Sequence, residues 1–239
     1  KMTMNIKNLD QDEVTKFDEL AARWWDKEGE FKPLHQINPL RVGFINDRTD
    51  LRGKKILDVG CGGGILAEAL SELGAEVTGI DASEQTIGVA NSHSKKIGSN
   101  VSYHQKTIEE FIENNPEERF DAITCLEMLE HVPSPEQIIK SCSNILKKGG
   151  DIFFSTINRN PKSYLFAIIG AEYVLKLLPR GTHDYQKFIK PSELAKWIRD
   201  SRLIQKETIG LSYNPISNNY WLGKDIQVNY MVHATKEED

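Results

Sequence analysis

The sequence predicts an α/β fold: a mostly parallel, seven-stranded sheet with helices on both faces, led by N-terminal helices and carrying an apolar helical insert after the fifth strand. Three observations predict it. Short apolar runs alternate with helix-period segments from residue 55 to 157, which means a parallel sheet covered on both sides. The first run ends in the glycine stretch Asp58-Val59-Gly60-Cys61-Gly62-Gly63-Gly64. The second run ends in an acid, Asp81, about 20 residues after Gly60.

Residues 12–26 repeat Val14, Phe17, Ala21, Trp24 and Trp25 at helical spacing. The adjacent tryptophans predict docking onto something larger. Asn38-Pro39 reads as a second helix start, with Asn38 as N-cap and Pro39 in the first turn. Lys55 to Val59 and Glu76 to Asp81 read as buried parallel strands, separated by a helix through Leu66, Ala69, Leu70 and Leu73 that Gly74 stops. Ser83 caps a helix that runs to Gly98. A third strand is expected at Val101 to His104, a short helix near Ile108, and a fourth strand from Phe120 to Cys125. Ser134-Pro135-Glu136-Gln137 reads as a capping box, opening a helix that Gly149-Gly150 ends before a fifth strand, Ile152 to Ser155. Pro191 opens a helix with Leu194, Trp197 and Ile198 inward, and two late strands are expected near residues 204–209 and 228–234.

The chain has 239 residues, 30 Lys+Arg against 35 Asp+Glu, and a net charge of -5. One domain is expected over 1–239, made of a helical cap at 12–50, a cofactor-binding core at 55–157, an insert at 158–190 and the rest of the sheet at 191–235. The acidic balance and the lack of a basic tract argue against nucleic acid as a partner. Cys61, Cys125 and Cys142 are odd in number and widely spaced, which supports neither a disulfide framework nor a zinc knuckle and suits a reducing compartment. Lys1 before Met2 reads as an expression scar, and no signal or transit peptide is expected.

Glycines between a strand and a helix let the backbone approach a ligand, and the helix N-terminus behind them favours anionic groups. A carboxylate at the end of the next strand suits ribose hydroxyls. A nucleoside-containing cofactor is therefore expected at the carboxyl edge of the sheet. The dinucleotide fingerprint would need Gly or Ala at position 65, where Ile65 stands. That lowers the alternative of a nicotinamide-dependent oxidoreductase.

The stretch Asp-Val-Gly-Cys-Gly-x-Gly, with Gly79-Ile80-Asp81 closing the next strand, resembles the class I S-adenosylmethionine methyltransferases. In that family the loop wraps the amino-acid end of the cofactor. Many members place an acid after the third strand, near the adenine amino group. Here Thr107 stands in that place, within Lys106-Thr107-Ile108-Glu109, and adenine recognition is assigned to no side chain.

Further stretches narrow the resemblance. They are Ala22-Arg23-Trp24-Trp25-Asp26 continuing to Gly29-Glu30-Phe31-Lys32-Pro33-Leu34-His35, then Asn38-Pro39-Leu40-Arg41, then Cys125-Leu126-Glu127-Met128-Leu129-Glu130-His131-Val132, with Gly181-Thr182-His183-Asp184 and Tyr213-Asn214-Pro215 later. Together they resemble the ubiquinone-biosynthesis O-methyltransferases of bacteria from about Phe17 to Val232. The resemblance implies O-methylation of polyprenylated phenols and catechols, both methylations of that pathway, with S-adenosylmethionine as cofactor. It implies cofactor contacts at Arg41, Gly60, Asp81 and Leu126, beside Asp58 and Gly62 of the loop. Arg41 would fork onto the methionyl carboxylate; without the resemblance it reads as an ordinary exposed arginine. Other small-molecule or lipid methyltransferases, and a non-catalytic lipid-binding protein on the same fold, remain alternatives.

Glu127, Glu130 and His131 follow the fourth strand, and their i, i+3, i+4 spacing would share one face of a helical turn. Three readings stay open. His131 is a general base for a phenolic proton. Or Glu127, Glu130 and His131 bind magnesium or another divalent ion that acidifies a catechol. Or Glu130 and His131 only orient a loop.

The segment 164–178, from Tyr164 to Leu178, holds only Glu172 and Lys176 as charges, and Arg159, Lys162, Arg180, Lys187 and Lys190 flank it. It is shorter than the roughly 20 residues that span a bilayer. It is expected to form a lid that touches an anionic membrane surface; a core helix is the alternative. The expected place is the bacterial cytoplasm, peripheral at the inner face of the membrane. Other enzymes of ubiquinone biosynthesis are possible partners.

Overall fold

The computed structural model describes residues 8–163, 185–214 and 216–238. The first expected strand forms residue for residue as β1 (Lys55–Val59), and the second as β2 (Glu76–Asp81). Ahead of them lie α1 (Gln11–Leu20), a 3-10 turn at Ala21–Arg23, and α2 (Lys32–Asn46). The alternation continues through α3 (Ile65–Glu72), α4 (Glu84–Ile97), β3 (Ser102–Gln105), α5 (Ile108–Asn114), β4 (Phe120–Leu126), α6 (Pro135–Ile145) and β5 (Leu146–Ile157). A single turn, α7 (Pro161–Ser163), then α8 (Pro191–Asp200), β6 (Leu203–Asn214), β7 (Asn219–Gly223) and β8 (Asn229–Lys236) complete the described elements.

The strands make one sheet in the order β3-β2-β1-β4-β5-β8-β6-β7. β1 to β5 run parallel; β8 runs antiparallel between β5 and β6, and β7 antiparallel beside β6. From β1 the chain winds outward to β2 and β3 on one side and to β4 and β5 on the other. Order therefore reverses at β1 and β4, and their carboxyl ends bound the crevice where such sheets take ligands.

Both faces of the sheet are buried at its centre, as the near-continuous apolar strands there require. Ile56, Phe153 and Met231 pack with Phe44 of α2, Leu70 of α3 and Ala90 of α4. Leu57, Val59, Ile123 and Phe154 pack on the other face with Phe111 of α5, Ile139 of α6 and Leu194 of α8.

Three local expectations are corrected. The sheet has eight strands among the described residues, not seven, because β6 turns back through Asn218 at φ 54° and pairs with β7. Its aromatic pair Tyr220 and Trp221 suits a strand. α2 begins at Lys32 with Pro33 in its first turn, so Pro39 lies inside the helix and Asn38 is no cap; the Asn38 amide donates to the Ile65 carbonyl at 3.1 Å. The Ser134 side chain does not cap α6; its backbone N–H and carbonyl bond the Asn8 side chain, both at 2.8 Å. A capping box forms instead at α5, between Thr107 and Glu110.

The expected lid at 164–178 lies outside the described residues. No helix among the described residues is long and apolar enough to cross a membrane.

Candidate functional site

A cavity of about 890 Å³ opens at the carboxyl ends of β1, β2 and β4, within the size range of small-molecule sites. Arg41, Asp58, Gly60, Gly62, Asp81, Leu126, Glu127, Glu130 and His131, the residues singled out from the sequence, all line it.

At one end is the glycine loop. Gly60 and Cys61 donate their N–H groups to the Ile80 carbonyl at 2.9 and 3.0 Å, which locks the loop to β2. Gly62 has φ 53°, and a Cβ there would stand 2.3 Å from the Trp24 ring. Only glycine meets both demands. Asp81 accepts from Gly62 N–H through Oδ2 and from Ser83 N–H through Oδ1, each at 2.9 Å. With a further side-chain hydrogen bond from Thr86, it braces the loop and the start of α4. Leu126 closes β4 and is buried beside the loop.

The tryptophan pair docks on the chain's own glycine loop. Trp24 stacks on Phe31 with ring centroids 4.1 Å apart, and Trp25 Nε1–H donates to the Gly63 carbonyl at 3.0 Å. The N-terminal segment is thus part of the site wall.

Carboxylates dominate the floor. Asp58 is buried, and burial first, then the neighbouring charge of Asp81, pushes its carboxyl up to about 6 against the hydrogen bond from Thr124 Oγ1 at 2.7 Å. Burial also raises Asp81. Glu130 accepts from Thr156 Oγ1 at 2.8 Å, its Oε1 is buried without a hydrogen-bond partner among the described residues, and burial followed by the charge of Glu127 pushes it up to about 7. Against these acids stands Arg41, carried by α2 and buried. Its Nη2 lies 3.1 Å from Glu127 Oε1, and its Nε is buried with no hydrogen-bond partner among the described residues.

Glu127, Glu130 and His131 do not share a helical face. Glu127 sits at φ 53° directly after β4, in the left-handed region that is costly for a residue with a Cβ. It points to Arg41, to Ser155 Oγ at 2.7 Å and to Asn229 Nδ2 at 3.1 Å. Glu130 and His131 lie in a 3-10 turn, Leu129–His131. His131 Nδ1 meets Glu13 Oε2 of α1 at 3.0 Å, and its ring lies edge-on to Phe17 at 5.3 Å. Among the described residues no three His, Cys, Asp or Glu side chains converge to hold a metal ion. The expected ligand trio is therefore not assembled: each member is turned to a different partner.

Burial acts to lower the His131 pKa, but the bond to Glu13 and the charges of Glu130, Glu13 and Glu127 outweigh it and raise it above its ordinary 6.5. Burial acts to raise Glu13, and the bond and charge of His131, with Lys16 and Lys187, hold it down at about 2. Glu13 is the site residue that the sequence did not reveal. It lies 118 positions before His131, so no local spacing links them.

A family profile described as a methyltransferase domain matches residues 37–203. A ubiquinone biosynthesis O-methyltransferase from Pseudomonas fluorescens is 58% identical over 233 residues, covering 98% of this chain and 100% of that protein. Proteins of the same name from Pseudomonas syringae pv. tomato, 57% identical over 97% of this chain, and Saccharophagus degradans, 58% identical over 98%, are also matched over their whole length. Among solved structures, magnesium protoporphyrin IX methyltransferase from Synechocystis PCC 6803 with bound SAH superposes with a TM-score of 0.67 at 17% identity, over 93% of this chain and 95% of that one. That likeness bears on the fold. Identity near 58% along the full length bears on more: the chain belongs to the ubiquinone biosynthesis O-methyltransferase family.

Proposed function

We propose that this chain transfers a methyl group from S-adenosylmethionine to a phenolic hydroxyl of polyprenylated ubiquinone precursors, at both O-methylation steps. The observation that carries the reading is the buried Arg41 guanidinium with an open Nε, set among carboxylates beside the glycine loop. Such a donor set suits a ligand with a carboxylate at one point and positive charge around it. S-adenosylmethionine fits: when bound, it supplies a methyl group on a positively charged sulfur.

Arg41 would hold the methionyl carboxylate by charge-assisted bonds. The Asp81 carboxylate would accept from the ribose hydroxyls. Asp58 and Glu130 would regain their charges opposite the cofactor's cationic groups. Gly60 and Gly62 would let backbone approach, and Leu126 would face the adenosine.

His131 is the base in this reading. As the phenolic oxygen takes the methyl group, its proton passes to His131 Nε2, the ring nitrogen that Glu13 does not engage. Glu127, Glu130 and His131 are each turned to a separate partner, so no step is derived through a magnesium ion. The aromatic and aliphatic wall excludes water and accommodates the start of the prenyl tail. For the segment 164–178 we retain the membrane-touching lid, because its apolar run and basic flanks suit an anionic surface from which such a substrate is drawn. In this reading the protein works at the inner face of the bacterial membrane, near other enzymes of the pathway.

Three outcomes are expected. Arg41→Met and Asp81→Ala should each weaken S-adenosylmethionine binding by roughly 1.5–3 kcal/mol in calorimetry, the range of a charged hydrogen bond; unchanged affinity removes that residue from the site. His131→Ala should lower turnover of a short-tailed catechol by about 10²–10⁴, while a chelator leaves wild-type turnover in place. Loss of turnover with chelator and its return with magnesium would instead support a metal. Aspartates at Phe166 and Ile169 should abolish sedimentation with anionic liposomes and spare cofactor binding; unaltered sedimentation removes the lid's membrane role.

A further inference from the structure

His131 is gripped from outside the methyltransferase core. α1 presents Glu13 and Phe17, one helical turn apart, to one imidazole. Glu13 Oε2 meets Nδ1 at 3.0 Å, and the Phe17 ring stands at 84° to the imidazole. The other carboxylate oxygen, Oε1, is occupied by Lys16 Nζ at 3.1 Å and Lys187 Nζ at 3.2 Å. Lys187 also reaches Asp10 Oδ2, the N-cap of α1, at 2.8 Å. The carboxylate is thus fixed at both oxygens and presents one of them to the ring.

We propose that Glu13 is a positioning residue for methyl transfer: it accepts a hydrogen bond from His131 Nδ1–H, fixes that tautomer, and leaves Nε2 as the nitrogen that takes the phenolic proton. This rests on His131 being the base. The physical logic is general. A neutral imidazole carries one proton, and a carboxylate on one nitrogen compels the other to be the acceptor. A carboxylate so placed also stabilises the imidazolium that forms when the proton arrives. The consequence concerns the whole N-terminal segment. α1 completes the catalytic geometry, and Lys187 ties a distant part of the chain to the same carboxylate. Docking of α1 and competence of the base become one event.

Glu13→Gln keeps the size and removes the charge. Its kcat for a short-tailed catechol should fall at least about tenfold, with the KM for S-adenosylmethionine moved less than about threefold. A carboxylate acting only through His131 also has a signature in the double variant, since residues that act as a unit are non-additive. Adding Glu13→Gln to His131→Ala should cost less than about a further threefold. Full multiplication of the two losses, or full kcat in Glu13→Gln, overturns the proposal. Full kcat in His131→Ala overturns the base itself and the proposal with it, whereas loss in His131→Ala alone overturns only the role of Glu13. A second measurement needs no variant: in the full-length wild-type protein, ¹⁵N spectra of the neutral His131 ring should show a protonated Nδ1 and a bare Nε2. A ring protonated on Nε2 contradicts the proposal.

Discussion

Three carboxylates crowd one buried guanidinium at the carboxyl edge of the sheet. Asp58, Glu127 and Glu130 all act on Arg41, and Asp81 acts on Asp58. Charge in so dry a place is costly unless it is paired. The chain answers part of that cost by holding protons, with Asp58 pushed to about 6 and Glu130 to about 7. Asp58 is raised from 3.8, so the folded chain keeps a proton that the unfolded chain would release. Its contribution to stability therefore declines as pH rises from about 4 to 6. Stability is given up here for a site that awaits a cationic ligand, as functional sites often do.

The sheet makes this arrangement possible. β1, β2 and β4 deliver Asp58, Asp81 and Glu127 to one edge because they are adjacent and parallel. Three buried hydroxyls on neighbouring strand ends then hold the acids: Thr124 on Asp58, Ser155 on Glu127 and Thr156 on Glu130. The left-handed turn at Glu127 aims its carboxylate at Arg41 and frees the following 3-10 turn to direct Glu130 and His131 elsewhere. α2 supplies the guanidinium and α1 the partner of His131.

The sequence made the core of this legible for local reasons. β1 and β2 announce themselves as apolar runs closed by glycine or acid, and Ser83 and Gly98 mark both ends of α4 by capping chemistry. Non-local features were not legible. Asn38-Pro39 carries the local signal of a helix start, yet α2 already begins at Lys32, where Pro33 serves as well. Ser134 has the sequence of a capping box, but the Asn8 side chain claims its backbone groups from 126 residues away. The helical face expected for Glu127, Glu130 and His131 fails at a single positive φ, which no spacing rule foresees for glutamate. Glu13 belongs to a polar helix turn and gains meaning only when α1 lies against the core.

The claim that surplus carboxylate is answered by a cationic cofactor is tested most directly by proton-linked calorimetry. S-adenosylmethionine is titrated at pH 6 into the wild-type protein and Asp58→Asn, in buffers of different ionisation enthalpy. Binding of positive charge beside a half-protonated Asp58 should expel a proton, so the wild-type heat should depend on the buffer in the direction of net release, and Asp58→Asn should release less. Buffer-independent heats at pH 6, net proton uptake, or equal release in the two proteins would contradict the account.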